Sequence, residues 1–226
     1  MTAVVPPPRS AEGLLCPRRL SRVEEGERLE SLVWVAGPGW RMASSAVLGG
    51  GIGERAWVLN AQVPHGYRRT DPHRHLASLA AAAGLPGPGV GLMTAADVTA
   101  YGHARDSGAE ALVTSGIEVR GWAAAPDPAG EPHGPGTINI VAAVPAPLTD
   151  AALVNAVATA TEAKVQALLD AGLDCSGTPT DAVCVAARTP SPGDEPCAFA
   201  GPRSLWGARL ARAVHRAVLD TTPGAR

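Results

Sequence analysis

From Leu153 to Leu169 apolar and small residues recur at intervals of three and four, the period of a helix. Thr149 or Asp150 supplies an N-cap and Gly172 a C-terminal stop, so the pattern predicts one long helix between them. At about 100° per residue, Leu153, Val154, Val157, Thr161, Lys164, Val165, Leu168 and Leu169 share one broad, largely apolar face. Asn155, Thr159, Glu162 and Gln166 form a polar strip, and Ala152, Ala156, Ala160, Ala163 and Ala167 form a flank small enough for close packing.

Shorter apolar runs bounded by glycine and proline read as strands: Leu32 to Val35, Val90 to Thr94, Glu110 to Val119, Thr137 to Val144 and Ala182 to Ala187. Ser44 to Leu48 and Arg55 to Asn60 flank GGGIGE and predict a hairpin. Asp71 with Pro72 opens a helix running to Gly84, and Leu210, Val214 and Val218 mark a closing helix from Leu205 to Leu219. Strands clustered and punctuated by helices predict an α+β fold, a mostly antiparallel sheet with helices packed on its faces. A single layered domain is expected over 26–222, behind a flexible proline- and arginine-rich leader over 1–25. The proline-rich stretch from Ala125 to Gly136 reads as a loop suited to a lid.

Composition narrows the functional classes. A chain of 226 residues, 46% hydrophobic, is long enough for one sizeable core. The formal charge of −2, with no basic cluster beyond Arg18-Arg19 and Arg68-Arg69, argues against a nucleic-acid partner. The apolar helical stretches are broken by charges and amides, so no membrane span is expected. Four cysteines without C-x-x-C spacing, and an N-terminus without an apolar signal segment, point to the reducing cytoplasm. Aromatic residues are few; Trp34, Trp40, Trp57, Trp122 and Trp206 suit core packing, or a pocket for a large flat ligand.

Several residues carry candidate chemistry. Lys164, set among Leu and Val, must either snorkel to the rim or lie desolvated against a partner. Asn139 interrupts an apolar strand, which requires a hydrogen-bonded network or a ligand contact. Thr178, Thr180 and Asp181 cluster at a strand mouth, as a polar turn or as part of a site. Gly49 to Gly53 lack both the G-x-G-x-x-G spacing and the G-K-[ST] ending of nucleotide loops, yet could let backbone approach a ligand. His65, His73 and His75 lie near one another, but H-x-H on a helix points two rings to different faces, so no bound metal is expected.

Taken together, LGGGIG at Leu48–Gly53, Asn60, Asp71-Pro72, VGLMTAADV at Val90–Val98, GTINI at Gly136–Ile140, the TEAK helix over Ala152–Leu168 and GTPTDAVCVA at Gly177–Ala186 resemble the adenosylcobinamide amidohydrolase family of corrinoid salvage. With the closing GPRSLWGARLARAV, the resemblance covers about residues 30 to 218. It implies hydrolysis of the amide joining aminopropanol to a corrinoid propionate side chain, giving adenosylcobyric acid. It also implies a corrinoid substrate that carries its own cobalt, so that no separate cofactor is needed. Gly49, Gly50, Gly51, Asn60, Thr94, Asp97, Thr137, Thr180 and Asp181 are the expected substrate contacts among those motifs. A non-catalytic corrinoid carrier using the same pocket is the alternative, and assembly into homo-oligomers is compatible with either.

Amide hydrolysis needs a base, donors for the oxyanion and an acid for the leaving amine. Two routes follow: a carboxylate, Glu162 or Asp181, activates water, or Lys164 activates the Thr161 hydroxyl on its own helix face. The expectation favours Glu162 as base, with Lys164 and Asn139 stabilising the oxyanion. Glu162 and Lys164, two apart, cannot both enter one narrow pocket from an undistorted helix.

Overall fold

The computed structural model describes residues 13–126 and 136–222. Its strands are β1 (Arg18–Glu24), β2 (Glu27–Val35), β3 (Trp40–Ser44), β4 (Gly51–Glu54), β5 (Trp57–Gln62), β6 (Val90–Thr94), β7 (Gly102–Asp106), β8 (Ala109–Ile117), β9 (Gly136–Pro147) and β10 (Ala182–Arg188). The helices are α1 (Pro72–Ala82), α2 (Asp150–Asp170) and α3 (Leu205–Thr221). One sheet has the order β1-β2-β5-β6 and the other β4-β3-β10-β9-β8-β7.

The fold is α+β, but both sheets are mixed rather than mostly antiparallel. Two crossovers cause this: β5 returns through α1 to the parallel strand β6, and β9 returns through α2 to the parallel strand β10. Parallel neighbours require such a crossover, because a two-residue turn cannot reverse the chain twice.

Period-two alternation sorts the side chains into layers. On β9, Ile138, Ile140, Ala142 and Val144 pack with Val183 and Val185 of β10 beneath α2 and α3. Val141 and Ala143, on the opposite face, meet Leu32, Trp34, Val58 and Leu92 of the four-stranded sheet. Outside that sheet, Leu76 and Ala80 of α1 cover Val33, Leu59 and Ala61. The result is helix, sheet, sheet, helix pair, and β9 is buried on both faces as a central strand requires.

Several expectations shift. The stretch expected as a leader over 1–25 includes β1, an edge strand paired along its length with β2, whose polar RRLSRVE sequence gives no apolar signal. The expected hairpin is displaced: β3 pairs with β4 across the glycines, whereas β5 pairs with β2 in the other sheet. Gly49 explains the glycine run, since at φ +70 a Cβ there would overlap the Gly89 carbonyl oxygen. On α2 the buried side is the alanine flank with Leu153 and Leu168, while Val154 (60% exposed) and Leu169 (46%) face outward. A helix wedged between a sheet and α3 needs small residues for close approach, and that outweighs the position of its larger apolar residues. Most of the expected lid, residues 127–135, lies outside the described residues.

Candidate functional site

A cleft of about 530 Å³ opens at one end of the space between the two sheets. That size is ordinary for a small-molecule site. Thr137 and Asn139, alternate residues on β9, form part of its wall with Thr180, Asp181 and the Met93-Thr94 end of β6. Ser45 to Val47, after β3, and His65 and Tyr67, in the loop that follows β5, complete the lining.

The turn before β10 is built around the Asp181 carboxylate. Oδ1 accepts from the Ile138 amide (2.8 Å) and the Thr178 hydroxyl; Oδ2 accepts from the Thr178 amide (3.2 Å) and Lys164 Nζ. Four donors fill the four lone-pair sites of a carboxylate. Lys164 reaches this turn from the buried side of α2, with a side chain 7% exposed, so it is the desolvated, paired lysine of the two alternatives. Gly177 makes room for the pair: at φ +153, a Cβ there would overlap both Asp181 Oδ2 and Lys164 Nζ. The Thr180 hydroxyl donates to the Gly136 carbonyl oxygen (2.7 Å) and also meets the Thr137 hydroxyl, tying the turn to the start of β9.

Asn139 belongs to a buried amide network. Its Nδ2 donates to Asn60 Oδ1 (2.9 Å) and the Met93 carbonyl oxygen (3.0 Å), and Asn60 Nδ2 donates to the Thr114 hydroxyl (2.8 Å). Thr94 lines the cleft with its hydroxyl accepting from the Ala96 amide.

Other expected residues lie elsewhere. Glu162 and Thr161 are exposed and off the cleft wall, and the Thr161 hydroxyl donates to the Val157 carbonyl one turn back. Neither the Glu162 carboxylate nor the Thr161 hydroxyl therefore lines this cleft. Lys164, spent on Asp181, is not on the wall either and supports the site from behind. Asp97 is exposed and accepts from Thr99, Asn60 is one layer deeper than the wall, and Gly49, Gly50 and Gly51 shape the β3–β4 turn. Asn139 cannot stabilise an oxyanion, because both hydrogens of its amide are committed.

Sequence reasoning missed His65, Tyr67 and Ser45 as cleft residues. His65 is exposed on the wall, and among the described residues its ring makes no hydrogen bond. Its lone signal was an imidazole in the short loop after a buried strand. Tyr67 is fixed in place, its hydroxyl 3.1 Å from His75 Nδ1 and its ring stacked on that imidazole at 5.6 Å. No cysteine among the described residues lines the cleft, and burial raises the Cys175 thiol above its usual range and pushes Cys184 up to about 12. Among the described residues no three His, Cys, Asp or Glu side chains cluster as metal ligands do, and no helix is long and apolar enough to cross a membrane.

A family model described as adenosylcobinamide amidohydrolase matches residues 16–223 of the chain. The adenosylcobinamide amidohydrolase of Methanosarcina mazei is 34% identical over 166 residues, which cover 72% of this chain and 74% of that protein. The Halobacterium salinarum protein of the same name is 45% identical over 84 residues, 37% of this chain and 35% of its own length.

Proposed function

Because the chain belongs to the adenosylcobinamide amidohydrolase family, we propose that it hydrolyses the amide joining aminopropanol to the corrin's propionate side chain, feeding cobamide salvage. Water oxygen adds to the amide carbonyl carbon, the C–N bond breaks with its electron pair going to nitrogen, and nitrogen takes up a proton. Adenosylcobyric acid and aminopropanol are the products.

The observation that carries this reading is the convergence of GTINI and GTPTD, the motifs on which the resemblance rests, on one wall of the cleft. A cleft of about 530 Å³ suits the amide arm, with the macrocycle resting at the mouth. His65 is the wall's proton-transfer group, an imidazole able to take a proton from water and return one to the leaving amine. Asp181, its lone pairs filled, acts with Lys164 to hold the threonine turn rigid and does not itself accept the proton. Cobalt arrives within the substrate, and no resident cofactor takes part.

Incubating the pure protein with adenosylcobinamide and following cobyric acid formation by chromatography tests the proposal. Binding of the corrinoid with no cobyric acid formed would favour the non-catalytic carrier instead.

A further inference from the structure

The buried amide network leaves one atom without a partner, the carbonyl oxygen Oδ1 of Asn139. Its identity as oxygen follows from the neighbours. Met93 contributes a backbone carbonyl, which can only accept, so the Asn139 atom facing it is the NH₂ group. The second hydrogen of that group goes to Asn60 Oδ1, whose own NH₂ then faces Thr114. Donation thus runs outward from the Asn139 NH₂, to Met93 on one side and through Asn60 to Thr114 on the other, and it leaves Oδ1 as a bare acceptor.

Asn139 is 1% exposed and lines the cleft. An orphaned acceptor at such burial is costly, and the cost is recovered only when a donor is pressed against it. The rest of this polar wall is satisfied: the Asp181 carboxylate has four donors, and the Thr137 and Thr180 hydroxyls are linked to each other and to the Gly136 carbonyl. Among the buried side-chain atoms of this wall, Asn139 Oδ1 is the acceptor left for a group that can only donate.

Resting on the function proposed above, we infer that Asn139 Oδ1 accepts the N–H of the scissile secondary amide and is a specificity-determining residue for it. Asn60 and Thr114 are positioning residues that act through Asn139. A hydrogen bond on N–H fixes the plane of the substrate amide in the cleft and selects amides over esters. The aminopropanol hydroxyl is the competing donor, but a hydroxyl also accepts and so has other places to rest.

Three substrates separate these contacts: adenosylcobinamide, its analogue with an ester oxygen in place of N–H, and its deoxy analogue with propylamine in place of aminopropanol. Asn139→Leu should lower kcat/KM for the amide and the deoxy amide by about tenfold more than for the ester, one hydrogen bond's worth. Equal losses on amide and ester would overturn the inference and leave Asn139 a structural role. A loss spared only in the deoxy analogue would assign Oδ1 to the hydroxyl instead, which also overturns it. Should Asn139→Leu fail to fold, the wild-type protein decides: the ester must bind about tenfold more weakly than the amide, and equal or tighter binding overturns the inference. Failure of wild-type protein to hydrolyse adenosylcobinamide while binding it would defeat the catalytic reading alone, since the binding comparison still reports on Oδ1.

Discussion

Lys164 and Asp181 meet with side chains 7% and 13% exposed, and removing either leaves an uncompensated buried charge. Lys164→Met should therefore destabilise the fold by about 3–5 kcal/mol, read as a lowered denaturant midpoint, and adding Asp181→Asn should recover part of it. His65 gives the opposite signature. It is exposed, so His65→Gln should leave the unfolding midpoint unchanged while lowering kcat by about 10²–10⁴-fold. Glu162→Gln should change neither, because that carboxylate is on the solvent side of α2. Part of this was legible in sequence. Helical spacing required Glu162 and Lys164 to diverge, and they do, with Lys164 inward. What spacing could not supply was the partner 17 residues on, at the mouth of β10, or the loop that carries His65 to the cleft.

Elements were legible where burial leaves a one-dimensional trace. β9 and β10, covered on both faces, read as continuous apolar runs, and α3 shows its stripe of Leu210, Val214 and Val218. The edge strands β1 and β7 carry RRLSRVE and GHARD, half solvated and rich in charge, and neither stood out. On α2 the two longest apolar arcs competed, and the alanines took the interface because they allow the backbone to approach the sheet and α3 closely. That choice is testable within one helix. Ala160, fully buried, should tolerate Leu poorly, at about 1–3 kcal/mol of stability measured by chemical denaturation. Val154→Ser, on the exposed arc, should stay within about 0.5 kcal/mol of the parent.

At the scale of the molecule, His75 joins three parts that sequence left separate: α1, the end of β1 through Glu24, and the cleft wall through Tyr67. Burial lowers its pKa below the usual histidine value; the Glu24 carboxylate opposes that shift, while Arg69 and Arg22 reinforce it. The folded protein therefore holds His75 neutral at a pH where the unfolded chain, titrating near about 6.5, already binds a proton. Stability from this group is complete above about 6.5 and is lost as pH falls towards the lowered folded value. A second loss follows in stronger acid. Arg212 and Arg216 of α3 hold the Asp106 carboxyl of β7 below its usual range, so its contribution, present above about 3.9, disappears as pH falls through the folded value. Thermal unfolding should then show a shallow decline in midpoint beginning near neutrality and a separate one below about pH 4. His75→Gln should flatten the first limb and leave the second in place. An unchanged first limb in that variant would mean that another group, not the histidine tying α1 to the cleft, sets the acid sensitivity of this fold.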